Sequence, residues 1–240
     1  YYKTKGITNF VSISPFNEPD YGWDQGYNNT TRKTDFLNIC KELRNNPAYD
    51  GIRLCGGNTL NCDKAFEWWN FLKGSLDEGN THQLAGDFNH YAEFFTKVRE
   101  AGQHATADEL HNTMEAMVGV EYGMQTGIWW GSADYARGQF MKATYQGNPG
   151  DRLGYAEHRA NWTSATVYRQ PEGNVQAFIG SSERQAVTTD FEFVAIRRHF
   201  DHVPCGKDGR ILGESLVDER GKVHFLEHVE IVVRRAAVRP

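Results

Sequence analysis

The run Ser14-Pro15-Phe16-Asn17-Glu18-Pro19 sets a carboxyl group directly behind an apolar segment, Asn9–Ser14, that reads as a buried strand. In α/β barrels the reactive groups sit at the carboxyl ends of strands, where the connecting loops converge. Glu18 falls at such an end, with Pro19 stiffening the backbone that presents it. A carboxyl placed there can donate or accept a proton, or attack an electrophilic carbon. Taken alone, Glu18 is more simply a surface carboxylate that steadies a turn, so a catalytic reading needs a second group. Asp108-Glu109 closes another strand-like run, although the same two acids have the composition of a helix's first turn. Other chemistries find less support. Cys40, Cys55, Cys62 and Cys205 form no C-x-x-C pair, which argues against a structural zinc site. Cys55 and Cys62 could bridge across a loop or remain free buried thiols. His82, His104 and His111 lack the i, i+4 spacing of a helical metal pair, so they read as structural or substrate-contacting. Ser14 and Ser132 lack a G-x-S-x-G setting, so no serine nucleophile is expected.

Positioning such groups requires a scaffold. From Asn9 to about Trp130 short apolar runs alternate with helical patterns, the signature of βα units and a parallel sheet. Strands are expected at Gly51–Cys55, Asn80–Leu84, His104–Asp108 and Met124–Trp130. Helices are expected at Thr31–Arg44, with Phe36, Leu37, Cys40 and Leu43 on one face, and at Cys62–Leu72, with Phe66, Trp69 and Leu72 turned inward. Asp87 suits the N-cap of a helix running to Glu100. Asn112–Tyr122 makes a further helix, in or after which Glu115 and Glu121 read as solvated or capping residues. Beyond Gly147-Asn148-Pro149-Gly150 the pattern changes. Thr163–Arg169, the turn Pro171-Glu172-Gly173 and Asn174–Ile179 read as a hairpin, and Val187–Ala195, Val223–Leu226 and Glu230–Val233 as further strands. With no helix between them, 151–240 is expected to form a small antiparallel, sandwich-like β domain behind an α/β unit at 1–150.

Asn17-Glu18-Pro19 at a strand end resembles the fourth-strand motif of clan A glycoside hydrolases, the retaining (β/α)8 barrel enzymes that include families 5, 30 and 39. The resemblance implies that Glu18 is the general acid/base and that Asn17 binds the sugar 2-hydroxyl. It also implies a nucleophilic Glu at the end of strand seven. With Asn9–Ser14 as strand four, the runs at Gly51, Asn80 and His104 become five, six and seven, and Glu109 lands at the required end. The first motif does not force that agreement. Strand eight is then Met124–Trp130, where the clan places an aromatic residue beneath the sugar, here Trp130 in preference to Trp129. Asn58, His82, Gln83 and Trp23 are expected to line the cleft. Retaining cleavage needs one protonated and one ionised carboxyl roughly 5 to 5.5 Å apart and passes through a covalent glycosyl-enzyme. It requires no metal and no organic cofactor. Asp108 departs from the clan pattern, in which many members carry Thr or another neutral residue beside the nucleophile. The likeness covers about residues 1–135, and strands one to three are missing from it.

The fold expected is therefore α/β: a partial (β/α)8 TIM-type barrel, strands four to eight, followed by the antiparallel β domain. Its two open edges would expose backbone donors and apolar faces. A companion chain, or an N-terminal segment of a larger enzyme, is expected to supply strands one to three. The expected substrate is a β-linked poly- or oligosaccharide; 14 Phe, 11 Tyr and 6 Trp could furnish sugar platforms as well as core. A net charge of −5 supplies no basic footprint for nucleic acid, and no apolar run is long enough to span a membrane. Secretion or display at the cell surface would suit the substrate. Asn28, Asn29 and Asn161 each open a glycosylation sequon. A non-catalytic carbohydrate-binding relative, or a surface structural protein assembling through its β domain, is the competing reading.

Overall fold

A computed structural model describes residues 3–21, 29–131, 134–197, 214–217, 223–226 and 229–235. Strands β1 (Ser12–Ile13), β2 (Arg53–Asn61), β3 (Glu78–Ala85), β4 (His104–Leu110) and β5 (Thr126–Trp129) pair in sequence order, each neighbour parallel. The sheet curls into half a barrel. Helices α1 (Asn29–Asn45), α2 (Cys62–Leu72), α3 (Phe88–Glu100), α4 (Thr113–Glu121) and α5 (Tyr135–Thr144) follow the five strands in turn.

Alternation along the strands decides what each face carries. Gly56, Gly79, Ala105, Ala107 and Gly127 face the helices, and all are small. A methyl group on Gly79 would stand 2.7 Å from Val98 and 2.9 Å from Trp69. These positions leave room for an aromatic core of Phe36, Trp68, Trp69, Phe88, Tyr91, Phe94 and Phe95, all fully buried. The alternate positions, Glu78, Asn80 and His82 on β3 and Thr106 and Asp108 on β4, turn a polar lining to the concave side. Low on that side Glu78 pairs with Arg53 and accepts a hydrogen bond from Ser12, tying the first three strands together.

Several expectations need correction. Only Ser12 and Ile13 of the expected strand Asn9–Ser14 pair; β1 lies at the sheet edge, with β2 as its one partner among the described residues. On α2 the inward stripe is Cys62, Ala65, Trp68, Trp69 and Leu72; Phe66 is exposed, with the Lys97 ammonium 4.5 Å from its ring centre. Cys40, Cys55 and Cys62 are free buried thiols, so no Cys55–Cys62 bridge forms; Cys205 lies outside the described residues. The helix α5 has no counterpart in the sequence reading. Asn161 spends its amide on the carbonyl of Thr188 (3.1 Å) and the hydroxyl of Thr189 (2.8 Å), so its sequon is occupied internally.

A second sheet runs β6 (Asp151–His158), β7 (Thr163–Arg169) and β8 (Val175–Ser181), antiparallel throughout; β6 was not anticipated. Further on, β9 (Phe191–Arg197) pairs with β12 (Val229–Arg235), and β10 (Glu214–Val217) with β11 (Val223–Leu226). Trp162, Tyr168 and Phe178 join Phe140 and Met117 in the same hydrophobic cluster as the barrel helices. Gly180 lets β8 approach the α4 backbone, since a Cβ there would meet the Met114 nitrogen at 2.5 Å. No helix among the described residues is long and apolar enough to cross a membrane.

Glu115, on the first turn of α4, is buried rather than solvated. It forms a reciprocal cap with Asn112: Glu115 N–H donates to Asn112 Oδ1 (3.1 Å), while its carboxyl accepts from Asn112 Nδ2 (2.6 Å) and the His111 N–H (2.9 Å). Burial pushes the Glu115 carboxyl up to about 8 from an ordinary 4.5, against those hydrogen bonds. The fold therefore favours the protonated form. That contribution to stability is complete below about pH 4.5 and lost as pH rises to about 8. The melting temperature should fall across this window in the wild type, and the fall should be shallower in Glu115→Gln. Equal slopes in both proteins would contradict the assignment.

Candidate active site

Three breaks in sheet register, two between β2 and β3 and one between β4 and β5, build the rim at the carboxyl ends of the strands. Between β2 and β3, Gly57 pairs with Asn80 but Thr59 with Thr81, so Asn58 is an extra residue on β2. Between β4 and β5, Ala107 pairs with Gly127 and Leu110 with Trp129, which leaves β4 one residue longer over that stretch. Such bulges re-aim side chains beside functional sites. Here the bulge frees Asp108 and Glu109 from strict alternation, and both reach the concave side. The helix that follows is capped by Asn112, so these two acids end a strand and do not open a helix.

Glu18 and Asn58 both adopt left-handed backbone, with φ of 48° and 44°. The two are coupled, because the Glu18 N–H donates to the Asn58 carbonyl at 2.8 Å. Non-glycine residues in that region cost about 1 to 3 kcal/mol each and persist where surroundings over-determine them. The surroundings do so. The Asp20 carboxylate accepts the N–H groups of Leu60 (2.7 Å) and Asn61 (3.0 Å), and Arg32 donates to the carbonyls of Pro19 (3.0 Å) and Tyr21 (2.6 Å).

The His82 ring, with no solvent exposure, occupies the centre. Its Nδ1 lies 3.1 Å from Glu18 Oε1 and 3.7 Å from Glu109 Oε2, and its Nε2 lies 3.0 Å from Asp108 Oδ1. Asp108 Oδ2 accepts from Asn58 Nδ2 at 2.9 Å. His111 Nε2 approaches the other oxygen of Glu109 at 3.6 Å. One donor atom each from Glu18, His82 and Glu109 lie within 4.8 Å of one another. Two like charges at such a distance repel by about 3 kcal/mol at an effective dielectric of about 20. Burial opposes charge on His82, but hydrogen bonds to Asp108 and Glu18 and the charges of Asp108 and Glu109 outweigh it and raise the imidazole above its usual range. Burial opposes charge on Asp108 too, yet the hydrogen bonds from His82 and Asn58 hold its carboxyl below the ordinary value. The triad has the composition of a cation site. Within it Nδ1 of His82 and Oε1 of Glu18 are partnered with each other.

The structure thus brings Glu18, Glu109, His82 and Asn58 together. Asn17 is exposed beside them, and Trp23 lies outside the described residues. Trp130 is exposed on the rim with its ring 6.3 Å from that of His111. Trp129 turns to the helix side, where it lines a cavity of about 230 Å³ with Leu110 and Phe140 and stacks on Arg137. Gln83 is buried and both ends of its amide are engaged, donating to Gln185 (2.7 Å) and accepting from Ser182 (3.3 Å), so it anchors the loop after β8. Asp108 was noted in the sequence only as a departure from pattern; its partner is visible only in three dimensions.

No protein-family model and no curated protein sequence matches the chain. Among solved structures it is similar to a GH30 endoxylanase from Clostridium papyrosolvens C71, at 16% identity and a TM-score of 0.47. That match covers 70% of this chain and 49% of the endoxylanase chain, about half its length.

Asn58 serves both the backbone and Asp108, and substitution separates the two roles. Asn58→Ala should lose about 1 to 3 kcal/mol by denaturant unfolding, whereas Asn58→Gly should recover about 1 kcal/mol of that by accepting the left-handed conformation. Equal losses would contradict the backbone role.

Proposed function

We propose that this protein is a retaining glycoside hydrolase acting on β-linked poly- or oligosaccharides, with Glu18 as acid/base and Glu109 as nucleophile. The observation that carries the reading is the close approach of these two carboxyls, within 4.8 Å at their nearest donor atoms, from separate strand ends on one rim. That falls on the retaining side of the separations used by glycosidases; inverting enzymes leave about 6.5 to 9.5 Å for a water. Glu109 attacks the anomeric carbon as Glu18 protonates the departing oxygen. Glu18 then draws a proton from water, which cleaves the glycosyl ester and restores Glu109. Trp130 offers a ring to the sugar face and Asn17 an amide to its 2-hydroxyl. A secreted or surface location belongs to the same proposal.

We further propose that three more strands, from the same or a companion chain, close the barrel. Supporting this are the exposed Ile7, Phe10 and Val11 beside β1 and the exposed Ile128 on β5. The buried Asn80 Nδ2 and Thr106 Oγ1 also find no partner among the described residues, and strands across the barrel could supply one.

A panel of aryl β-glycosides and β-linked oligosaccharides, followed by NMR, tests the activity. The β-anomer should appear first. Glu109→Gln should abolish turnover, and Glu18→Gln should lower kcat/KM by about 10²- to 10⁴-fold on substrates with poor leaving groups. First appearance of the α-anomer, or full activity in either variant, would overturn the mechanism.

A further inference from the structure

Nothing in double displacement calls for the third carboxylate, Asp108, or for an imidazole wholly enclosed between acids. We propose that His82, held by Asp108, is a positioning residue that shares its Nδ1 proton with Glu18 and so sets the upper pH limit of the acid step. This rests on the hydrolase reading above.

The geometry argues for a fixed orientation. Asp108 faces Nε2 at 3.0 Å and is itself fixed by Asn58, so the Nε2 hydrogen stays on that side in every protonation state. Nδ1 is then the atom left to exchange, and Glu18 Oε1 is 3.1 Å from it. Two arrangements hold the same number of protons. In one, Nδ1–H donates to an ionised Glu18; in the other, the Glu18 O–H donates to the bare Nδ1. One proton crosses one hydrogen bond between them, and no other bond changes. A pair coupled this closely titrates as a unit. Its proton leaves only when the surrounding charges permit, and those that face His82 are Glu18, Asp108 and Glu109, with Glu115 nearby on α4. Glu18, Asp108 and Glu109 favour retaining the proton, and Glu115 adds to them only once it ionises, towards pH 8. The relay also fits the catalytic cycle. When Glu109 is consumed in the ester, one negative charge beside Nδ1 disappears. Glu18, having given its proton to the leaving group, then takes one from water and shares it again with Nδ1.

The test uses the full chain and two readouts. Long-range nitrogen–proton NMR, with His82→Gln identifying the signal, should show His82 titrating above pH 6.5 and, when neutral, carrying its hydrogen on Nε2. Asp108→Asn should move that titration down by about one to three pH units. In kinetics, Asp108→Asn should pull the basic limb of kcat/KM to lower pH, change KM little, and have a smaller effect on a dinitrophenyl glycoside that needs no acid. Should Asp108→Asn fail to fold, Asn58→Gly, which takes a donor from Asp108 and leaves that carboxylate more basic, should move the His82 titration the other way, to higher pH. A His82 titration at or below 6.5 in the wild type, or an unchanged titration and basic limb in the variants, overturns the proposal. Absence of turnover by the wild type overturns the hydrolase reading instead, and the NMR titration still decides whether the proton is shared.

Discussion

A buried imidazole surrounded by three carboxylates is the constraint on which the rest of this molecule depends. Glu18, Asp108 and Glu109 come from two strand ends and would repel one another if simply brought close. The His82 ring lies between them, with a nitrogen within 3.7 Å of each. Each acid also needs a rigid support, and the chain provides one in each case: left-handed backbone at Glu18, an Asn58 hydrogen bond at Asp108, and a strand bulge at Glu109.

The outer layers follow from that need for rigidity. Small residues on the helix side of the strands let Trp68, Trp69 and their neighbours press against the sheet. The second sheet adds a brace. Arg159 on that side donates to Asn89 (2.6 Å) at the start of α3 and to the Tyr122 hydroxyl beyond α4, while Gln185 reaches Gln83 on β3, one residue from His82. Although residues 151–240 read as a separate unit, Trp162, Tyr168 and Phe178 share one core with the barrel helices.

Much of the barrel half was legible because its signals are local. Cys62–Leu72 and the Asp87 cap carry a period and a capping residue that short-range physics fixes, and they fall where expected. The hairpin strand Thr163–Arg169 does so too. Glu18 and Glu109 could be paired from strand counting alone, since βα order determines which strand ends are neighbours. What escaped depends on contacts across the chain. Nothing near Asp108 announces that Asn58 and His82 will meet it, and nothing near Gln83 announces Gln185, 102 residues away. Helix α5 escaped because its Tyr135 and Met141 are exposed, so its apolar residues do not form one stripe. The shortness of β1 goes with its place at the edge of the described sheet, a property of the sheet and not of the segment.

The central claim is that Glu109 attacks a sugar while Glu18 faces it across one gap. A 2-deoxy-2-fluoro β-glycosyl fluoride slows breakdown of a glycosyl ester and allows it to accumulate. Incubation with that reagent followed by peptide mapping by mass spectrometry tests the claim most directly. The account predicts a single adduct on Glu109, lost when the protein is left with an acceptor sugar. Labelling of Glu18, of Asp108, or of no residue in a preparation that turns over substrate would contradict it.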